Sequence, residues 1–211
     1  MPVSLKIKNM SEKNVYNEMS IENFRKADND INHLFINRWS PRTFSDKELK
    51  EETLFKLFEA ARFAPSAFNE QPWHFIYALS SDLAWQKVHD TLVDFNKLWT
   101  KRAKAFIVIL SKKRFSQNDK LNETSHFDTG AAWQNLALQA RNLGLVAHAM
   151  SGLNFTQLKE NLNVSDDYDI IATVALGYPG LVSDLPDDLK EIEKPSNRKK
   201  INEFISREKF I

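Results

Sequence analysis

Residues 38–75 read RWSPRTFSDKELKEETLFKLFEAARFAPSAFNEQPWHF, and this stretch decides the fold. Ser45 and Glu48 match a capping box, after which apolar residues recur at helical spacing until Pro65 ends the predicted helix. The aromatic segment WHFIYAL, residues 73–79, predicts a strand. A helix that leads through a loop into a strand is a unit from which α/β domains are built.

The rest of the chain continues this alternation. Hydrophobic periodicity predicts helices over 21–35, 85–95 and 127–145, and short apolar runs predict buried strands over 105–110 and 169–176. Gly144 suits the end of the longest helix. The first residues resemble a polar, loosely held arm, and the last thirty form a polar tail. We therefore expect an N-terminal extension over 1–30 and one α/β (α+β) domain over 31–211.

Composition excludes several classes of protein. The chain has 211 residues, 15 Phe, 5 Trp and 4 Tyr, which is enough for a packed core. The absence of cysteine excludes disulfides, thiolate metal sites and a cysteine nucleophile. A net charge of +1 gives no reason to expect nucleic acid or an anionic membrane as partner. No signal peptide or membrane-spanning run is visible, so a cytoplasmic protein is predicted.

The common nucleotide, metal and hydrolase motifs are absent. The sequence contains neither a P-loop nor a G-x-G-x-x-G fingerprint, and it has only 5 glycines. The 5 histidines are scattered without ligand-like spacing, and no G-x-S-x-G nucleophile pattern occurs. No metal site is therefore predicted.

Two clusters of polar residues suggest a ligand instead. Arg38 and Arg42 flank Ser40 in a turn-like segment, where cations and backbone amides can converge on a phosphate. Asn69 and Gln71 can donate to and accept from the edge of a pyrimidine-like ring. A ligand with an anionic head and a flat heteroaromatic body fits both clusters, and FMN is such a ligand. Solvated charges and ordinary turn chemistry remain the alternatives.

Four separated segments carry a more specific signal. They are RWSPRTF, APSAFNEQPWHF, the helix DTGAAWQNLALQARNLGL leading into AHAMSGL, and LGYP followed downstream by NRKKINEF. In this order they resemble the nitroreductase family of FMN-dependent oxidoreductases, from about residue 35 to residue 205. The resemblance implies a three-layer α-β-α fold with a mixed central sheet and a C-terminal tail that wraps the partner subunit of a homodimer.

The resemblance also implies which residues bind FMN. Arg38 and Arg198, with Lys199 beside them, would hold the phosphate, and Ser40 would bond the phosphate or ribityl chain. Arg42 would lie by the N1/O2 edge of the ring. The implied cofactor-binding set is Arg38, Trp39, Ser40, Arg42, Pro65, Ser66, Ala67, Asn69, Gln71, Asn96, Met150, Ser151, Gly152, Gly177, Arg198 and Lys199. Within this set, residues 65–71 would come from the second subunit.

The function implied is hydride transfer from NAD(P)H through flavin N5 to a nitroaromatic, quinone or related small acceptor in a ping-pong cycle. The flavin would carry the chemistry, so no catalytic side chain is expected. Dehalogenation, flavin fragmentation and aldehyde reduction are alternatives on the same fold. A non-catalytic or regulatory FMN-binding protein, or an α/β binding module without FMN, is an alternative of a different class.

Overall fold

A four-stranded sheet forms the centre of the computed structural model, which describes residues 13–210. The strands are Trp73–Leu79 (β1), Ala105–Lys112 (β2), Val146–Met150 (β3) and Tyr168–Gly177 (β4), in the order β1-β2-β4-β3. The predicted α/β class is confirmed. Within the described residues all three strand pairs are antiparallel, so the parallel pairing expected of a mixed sheet is not found there.

Helices cover both faces of the sheet. The α-helices are Val15–Glu18 (α1), His33–Asn37 (α2), Glu51–Arg62 (α3), Leu83–Asp90 (α4), Asp94–Thr100 (α5), Ser125–Asn142 (α6), Phe155–Asn161 (α7) and Asp187–Lys190 (α8). Short 3₁₀ turns occur at Ile21–Asn23, Ala67–Asn69, Val182–Asp184 and Ile201–Glu203. Within the described range, no helix is both long and apolar enough to cross a bilayer.

Strand β2 joins two hydrophobic clusters, one on each face of the sheet. Phe106, Val108 and Leu110 pack into one cluster, with the apolar residues of α4, α5 and α7. Their neighbours Ala105 and Ile107 pack into the other, with α3 and α6. Successive strand residues point to opposite faces, so a strand covered on both sides must be apolar throughout. This explains why the run at 105–110 signals a buried strand.

Most of the predicted elements are confirmed. Strand β1 has the predicted bounds, β2 and β4 extend theirs slightly, and α6 lies within three residues of its predicted range. Gly144 follows α6 with a φ of 75°, the left-handed conformation expected of a residue that ends a helix. Strand β3 and helix α7 are not among the predicted elements. For β3 the reason is that the short VAHAM segment, with a central histidine, gives little periodic signal.

The predicted helix over 21–35 is wrong. The segment instead forms the 3₁₀ turn Ile21–Asn23 and the short α2, with no helix between them. Asp28, Asn29 and Asp30 favour turns because their side chains compete for backbone hydrogen bonds. Asn32 then caps α2 by accepting from the amide of Leu34 at 2.9 Å.

Two other helix boundaries were also misassigned. Ser45 does not cap α3, because α3 begins only at Glu51. The Ser45 amide instead donates to the Tyr178 carbonyl at 2.9 Å. The predicted helix over 85–95 is divided into α4 and α5, because the Val93 amide donates to the Gly152 carbonyl at 3.0 Å. In both places a long-range backbone pairing overrides a local helical pattern.

The described part of the N-terminal extension is docked on the domain. Val15 is fully buried, and its amide donates to the Gly180 carbonyl at 2.8 Å. The Tyr16 hydroxyl donates to the Leu145 carbonyl at 2.9 Å, and the Arg141 guanidinium lies over the Tyr16 ring. Residues 1–12 of the predicted loose arm lie outside the described residues. The boundary at residue 30 stays a prediction.

Gly180 provides a stability test of this packing. A Cβ at this position would lie 2.5 Å from Thr43 Oγ1 and 2.7 Å from the Phe44 carbonyl oxygen. We expect Gly180→Ala to lower the free energy of unfolding by about 2 kcal/mol, because the backbone must move to relieve the overlap. Urea denaturation measures this change in the free energy of unfolding. The exposed Ser183→Ala should change stability by less than about 0.5 kcal/mol, and equal effects would contradict the tight contact.

Candidate functional site

A cationic cavity lies where the segment before α3 meets the C-terminal tail. Its volume is about 270 Å³. We call it the arginine pocket, and it is lined by Arg25, Arg38, Trp39, Ser40, Arg42, His148, Ile192, Lys194, Ser196 and Arg198. The structure therefore brings together five of the predicted cofactor-binding residues, Arg38, Trp39, Ser40, Arg42 and Arg198. The lining residue Trp39 is largely buried and packs edge-on against Tyr16.

Three arginines of this pocket have no carboxylate partner in the part of the chain that the structure describes. Within residues 13–210, no carboxylate lies within 4.0 Å of the guanidinium of Arg25, Arg38 or Arg198. Burial and then the charge of Arg198 lower the pKa of Arg38. Burial, followed by Arg198 and Arg38, lowers the pKa of Arg25 to about 10. Like charges held this closely fit a bound polyanion such as a phosphate.

Arg42 differs from these three because it has a buried partner. Glu193 Oε1 accepts from the Arg42 amide at 2.6 Å, and Glu193 Oε2 lies 3.2 Å from Arg42 Nη1. The Glu193 side chain is fully buried. Burial raises the pKa of Glu193, while the bonds from Arg42 oppose that shift. No sequence pattern indicates Glu193, because a single glutamate in a charged tail carries no recognisable signal.

His148 lines the arginine pocket as a neutral ring. Its Nδ1 lies 3.0 Å from the Pro41 carbonyl oxygen, so Nδ1 carries the proton. Its ring packs against Trp99 with centroids 4.5 Å apart. Burial is the main cause that lowers the pKa of His148 to about 4, and Arg42 and Arg38 add to the effect. The imidazole therefore adds no positive charge to the pocket at neutral pH.

Strand β3 connects the arginine pocket to the second group of predicted residues. Met150 ends β3 two residues after His148, and Ser151 and Gly152 follow it. The Asn96 side-chain amide donates to the Gly152 carbonyl at 3.0 Å. A Cβ at Gly152 would lie 2.8 Å from Asn96 Nδ2, so a larger residue here would displace the Asn96 side-chain amide. The structure thus groups Asn96 with Met150, Ser151 and Gly152.

The loop at 65–71 has a strained and exposed backbone. Phe68, Asn69 and Gln71 all have positive φ, between 54° and 57°. Such conformations are uncommon for residues other than glycine and often occur at functional sites. The Gln71 amide donates to Ser66 Oγ at 3.0 Å and holds the turn. Turn chemistry alone does not require three such residues among four positions.

This loop lies far from the arginine pocket of the same chain. The Ala67 amide donates to Asp128 in the first turn of α6, at 3.0 Å. Arg141, in the last turn of α6, donates to the Asn37 carbonyl beside Arg38. Asp128 and Arg141 are separated by roughly 20 Å at 1.5 Å per helical residue. Pro65, Ser66, Ala67, Asn69 and Gln71 are therefore not brought together with the arginines.

Two further predicted residues also lie outside the arginine pocket. Gly177 ends β4 and packs under Phe44, where a Cβ would lie 2.9 Å from the ring. Lys199 lines an adjacent cavity between the extension and the tail. Within the described part of the chain, no cluster of three or more potential metal ligands occurs.

The Arg42–Glu193 pair can be tested by its effect on stability. We expect Glu193→Gln to lower the free energy of unfolding by about 2 kcal/mol, because it leaves a buried guanidinium bond without its charged acceptor. The matched control is Glu59→Gln, which breaks the exposed pair between Glu59 and Arg62. That change should cost less than about 0.5 kcal/mol. Denaturant titration of both variants measures the difference, and equal losses would contradict a structural role for Glu193.

The sequence of this chain is similar to those of known proteins. The sequence profile of the nitroreductase family matches residues 36–92 and 78–178, which together form more than half of the chain. A protein of Archaeoglobus fulgidus, provisionally named NADH dehydrogenase/NAD(P)H nitroreductase, is 30% identical over 151 residues. That alignment covers 69% of this chain and 83% of the relative.

Solved structures share the fold over most of their length. A crystal structure described as an oxidoreductase containing FMN is 36% identical, with a TM-score of 0.85, and the alignment covers 89% of this chain and 96% of the other. A Desulfovibrio desulfuricans protein in complex with FMN, provisionally named a nitroreductase, is 23% identical, with a TM-score of 0.69. Its alignment covers 88% of this chain and 100% of the other. The profile match and the archaeal relative confirm the resemblance seen in the four motifs: this chain belongs to the nitroreductase family.

Proposed function

We propose that this protein is an FMN-dependent oxidoreductase that takes hydride from NAD(P)H. The observation that carries the proposal is the arginine pocket, in which Arg25, Arg38 and Arg198 converge without a counter-ion from residues 13–210. A phosphate monoester would supply the missing negative charge. Membership of the family and the FMN named in similar structures support FMN as the compound that carries this phosphate.

The arginine pocket would hold the phosphate end of the cofactor. Arg38 and Arg198 both line this pocket, and a guanidinium can bind two phosphate oxygens at once. Ser40 Oγ lies 3.4 Å from Arg38 Nη1 and would bond the phosphate or the ribityl chain. Arg42, held by Glu193, would lie towards the ring with its orientation fixed.

The segment after β3 would contact the flavin ring through its backbone. Gly152 has no side chain, and Asn96 fixes its carbonyl, so the amides of 150–152 form a preorganised surface. Bound FMN would supply the redox chemistry, accepting hydride at N5 and passing it to an acceptor. The chain itself would orient the ring, exclude water beside the buried Met150, and present fixed hydrogen-bond donors.

We further propose a homodimer in which each site is completed by the second subunit. The 65–71 loop is about 20 Å from the arginine pocket of its own chain along α6, and its Asn69 and Gln71 side chains are exposed. Phe68 and Phe127 beside it are 85% and 81% exposed. Large aromatic side chains this exposed favour a protein interface. A partner subunit would cover them and bring the loop to a ring edge.

Nitroaromatics and quinones are the acceptor class proposed, since several relatives are named nitroreductases. A second candidate is a regulatory FMN-binding protein with little turnover. It shares the arginine pocket, so only redox behaviour separates the two. Dehalogenase-type chemistry on the same site is a third candidate.

An absorption spectrum, recorded before and after anaerobic NADPH, tests the proposed function. We expect the purified protein to show the two flavin absorption bands and to lose the long-wavelength band on addition of NADPH or NADH. Flavin bands that persist with both reductants would favour the regulatory candidate. A colourless protein that added FMN does not reconstitute would contradict FMN binding altogether.

Mixing of complementary variants tests the homodimer. Arg38→Ala would damage the phosphate end, and the double variant Asn69→Ala/Gln71→Ala would damage the loop. We expect each pure variant to bind FMN about tenfold more weakly or worse. Co-expression should restore high affinity to a fraction of the sites, because one site in a mixed dimer takes its arginines from one chain and its loop from the other. Titration with FMN measures this fraction, and affinity no better than the pure variants would contradict shared sites.

A further inference from the structure

Arg25 belongs to the N-terminal extension, outside the residues that match the family profile. Its side chain nevertheless contacts two segments of the domain. Nε donates to the Ser196 carbonyl at 2.8 Å, and Nη1 donates to the carbonyls of Ile36 and Arg38 at 2.9 and 2.8 Å. One guanidinium thus ties the segment that carries Arg38 to the segment that carries Arg198.

The position of Arg25 leaves part of the guanidinium available to a ligand. Arg25 lines the arginine pocket together with Arg38 and Arg198. Its Nη2 has no acceptor among residues 13–210, and no carboxylate there forms an ion pair with it. The two groups whose charge acts on it most strongly are both arginines. A half-buried cation with cationic neighbours is costly unless an anion joins them.

We propose that Arg25 is the third arginine of the phosphate site, so that the N-terminal extension forms part of the cofactor-binding machinery. Arg25 has two roles in this site: it aligns the segments that carry Arg38 and Arg198, and it adds a charge-assisted donor at Nη2. This inference rests on the proposed FMN function and makes it more specific. A phosphate recognised by three guanidinium groups should make binding depend strongly on the phosphate itself.

Comparison of FMN with riboflavin isolates this contribution, because the two ligands differ only in the phosphate. The dissociation constants of both are measured by flavin fluorescence for the wild type and for Arg25→Met, which keeps the apolar stem and removes the charge. We expect FMN affinity to fall tenfold or more, the value of one or two charge-assisted bonds. Riboflavin affinity should change less than threefold.

The neighbouring residue provides a matched control. Lys26 is exposed and lines the adjacent cavities but not the arginine pocket. Lys26→Met removes one positive charge a single residue away and should leave both affinities unchanged. Arg25→Lys keeps the charge but not the forked geometry, so its FMN affinity should fall between those of the wild type and Arg25→Met.

The outcomes separate this inference from the proposed function. Equal weakening of FMN and riboflavin in Arg25→Met would overturn the inference, since it would show a general structural role. Unchanged FMN affinity would overturn it as well. A wild-type protein that binds neither flavin would overturn the proposed function itself. Thermal unfolding without ligand checks that each variant folds. If Arg25→Met does not fold, Arg25→Lys takes its place, and a smaller loss that is again selective for FMN is expected.

Discussion

The buried carboxylate of Glu193 is the contact on which the arrangement of the site depends. It accepts from both the backbone and the side chain of Arg42, and it is fully excluded from solvent. This contact fastens the C-terminal tail to the turn before α3. Because Arg198 lies five residues beyond Glu193, the same contact also sets how the tail crosses the pocket. Separating a buried charge from its single partner costs much free energy, so the contact holds the tail in place.

The site combines this buried ion pair with a cluster of arginines that have no carboxylate partner among residues 13–210. Burial is the main cause that lowers the pKa values of Arg25 and Arg38, and the charge of Arg198 adds to it in both cases. A ligand that binds only the folded state stabilises that state. Occupation of the phosphate site would therefore tighten the tail, the extension and the turn together. His148, which also lines the pocket, is neutral, so it does not add to the repulsion among the arginines.

Sequence patterns predicted the parts of this molecule whose causes are local. The strands β1, β2 and β4 have continuous apolar or aromatic runs, and Arg38, Ser40 and Arg42 lie within five residues of each other. Glu193 and Arg25 could not be predicted in this way, because their partners Arg42 and Ser196 are 151 and 171 residues distant along the chain. The false cap at Ser45 has the same physical origin: its amide pairs with Tyr178, 133 residues away.

The two ends of the proposed cofactor site also differ in where they come from along the chain. The ring end, from Asn96 to Gly152, lies inside residues 36–178 that match the family profile. The phosphate end takes Arg25, Glu193 and Arg198 from the flanking segments. Most residues of these flanking segments are exposed or half-buried, and such segments tolerate change more readily than a buried sheet. In the proposed site, the extension would therefore add Arg25 to the phosphate end without altering the sheet that carries the surface beside the ring.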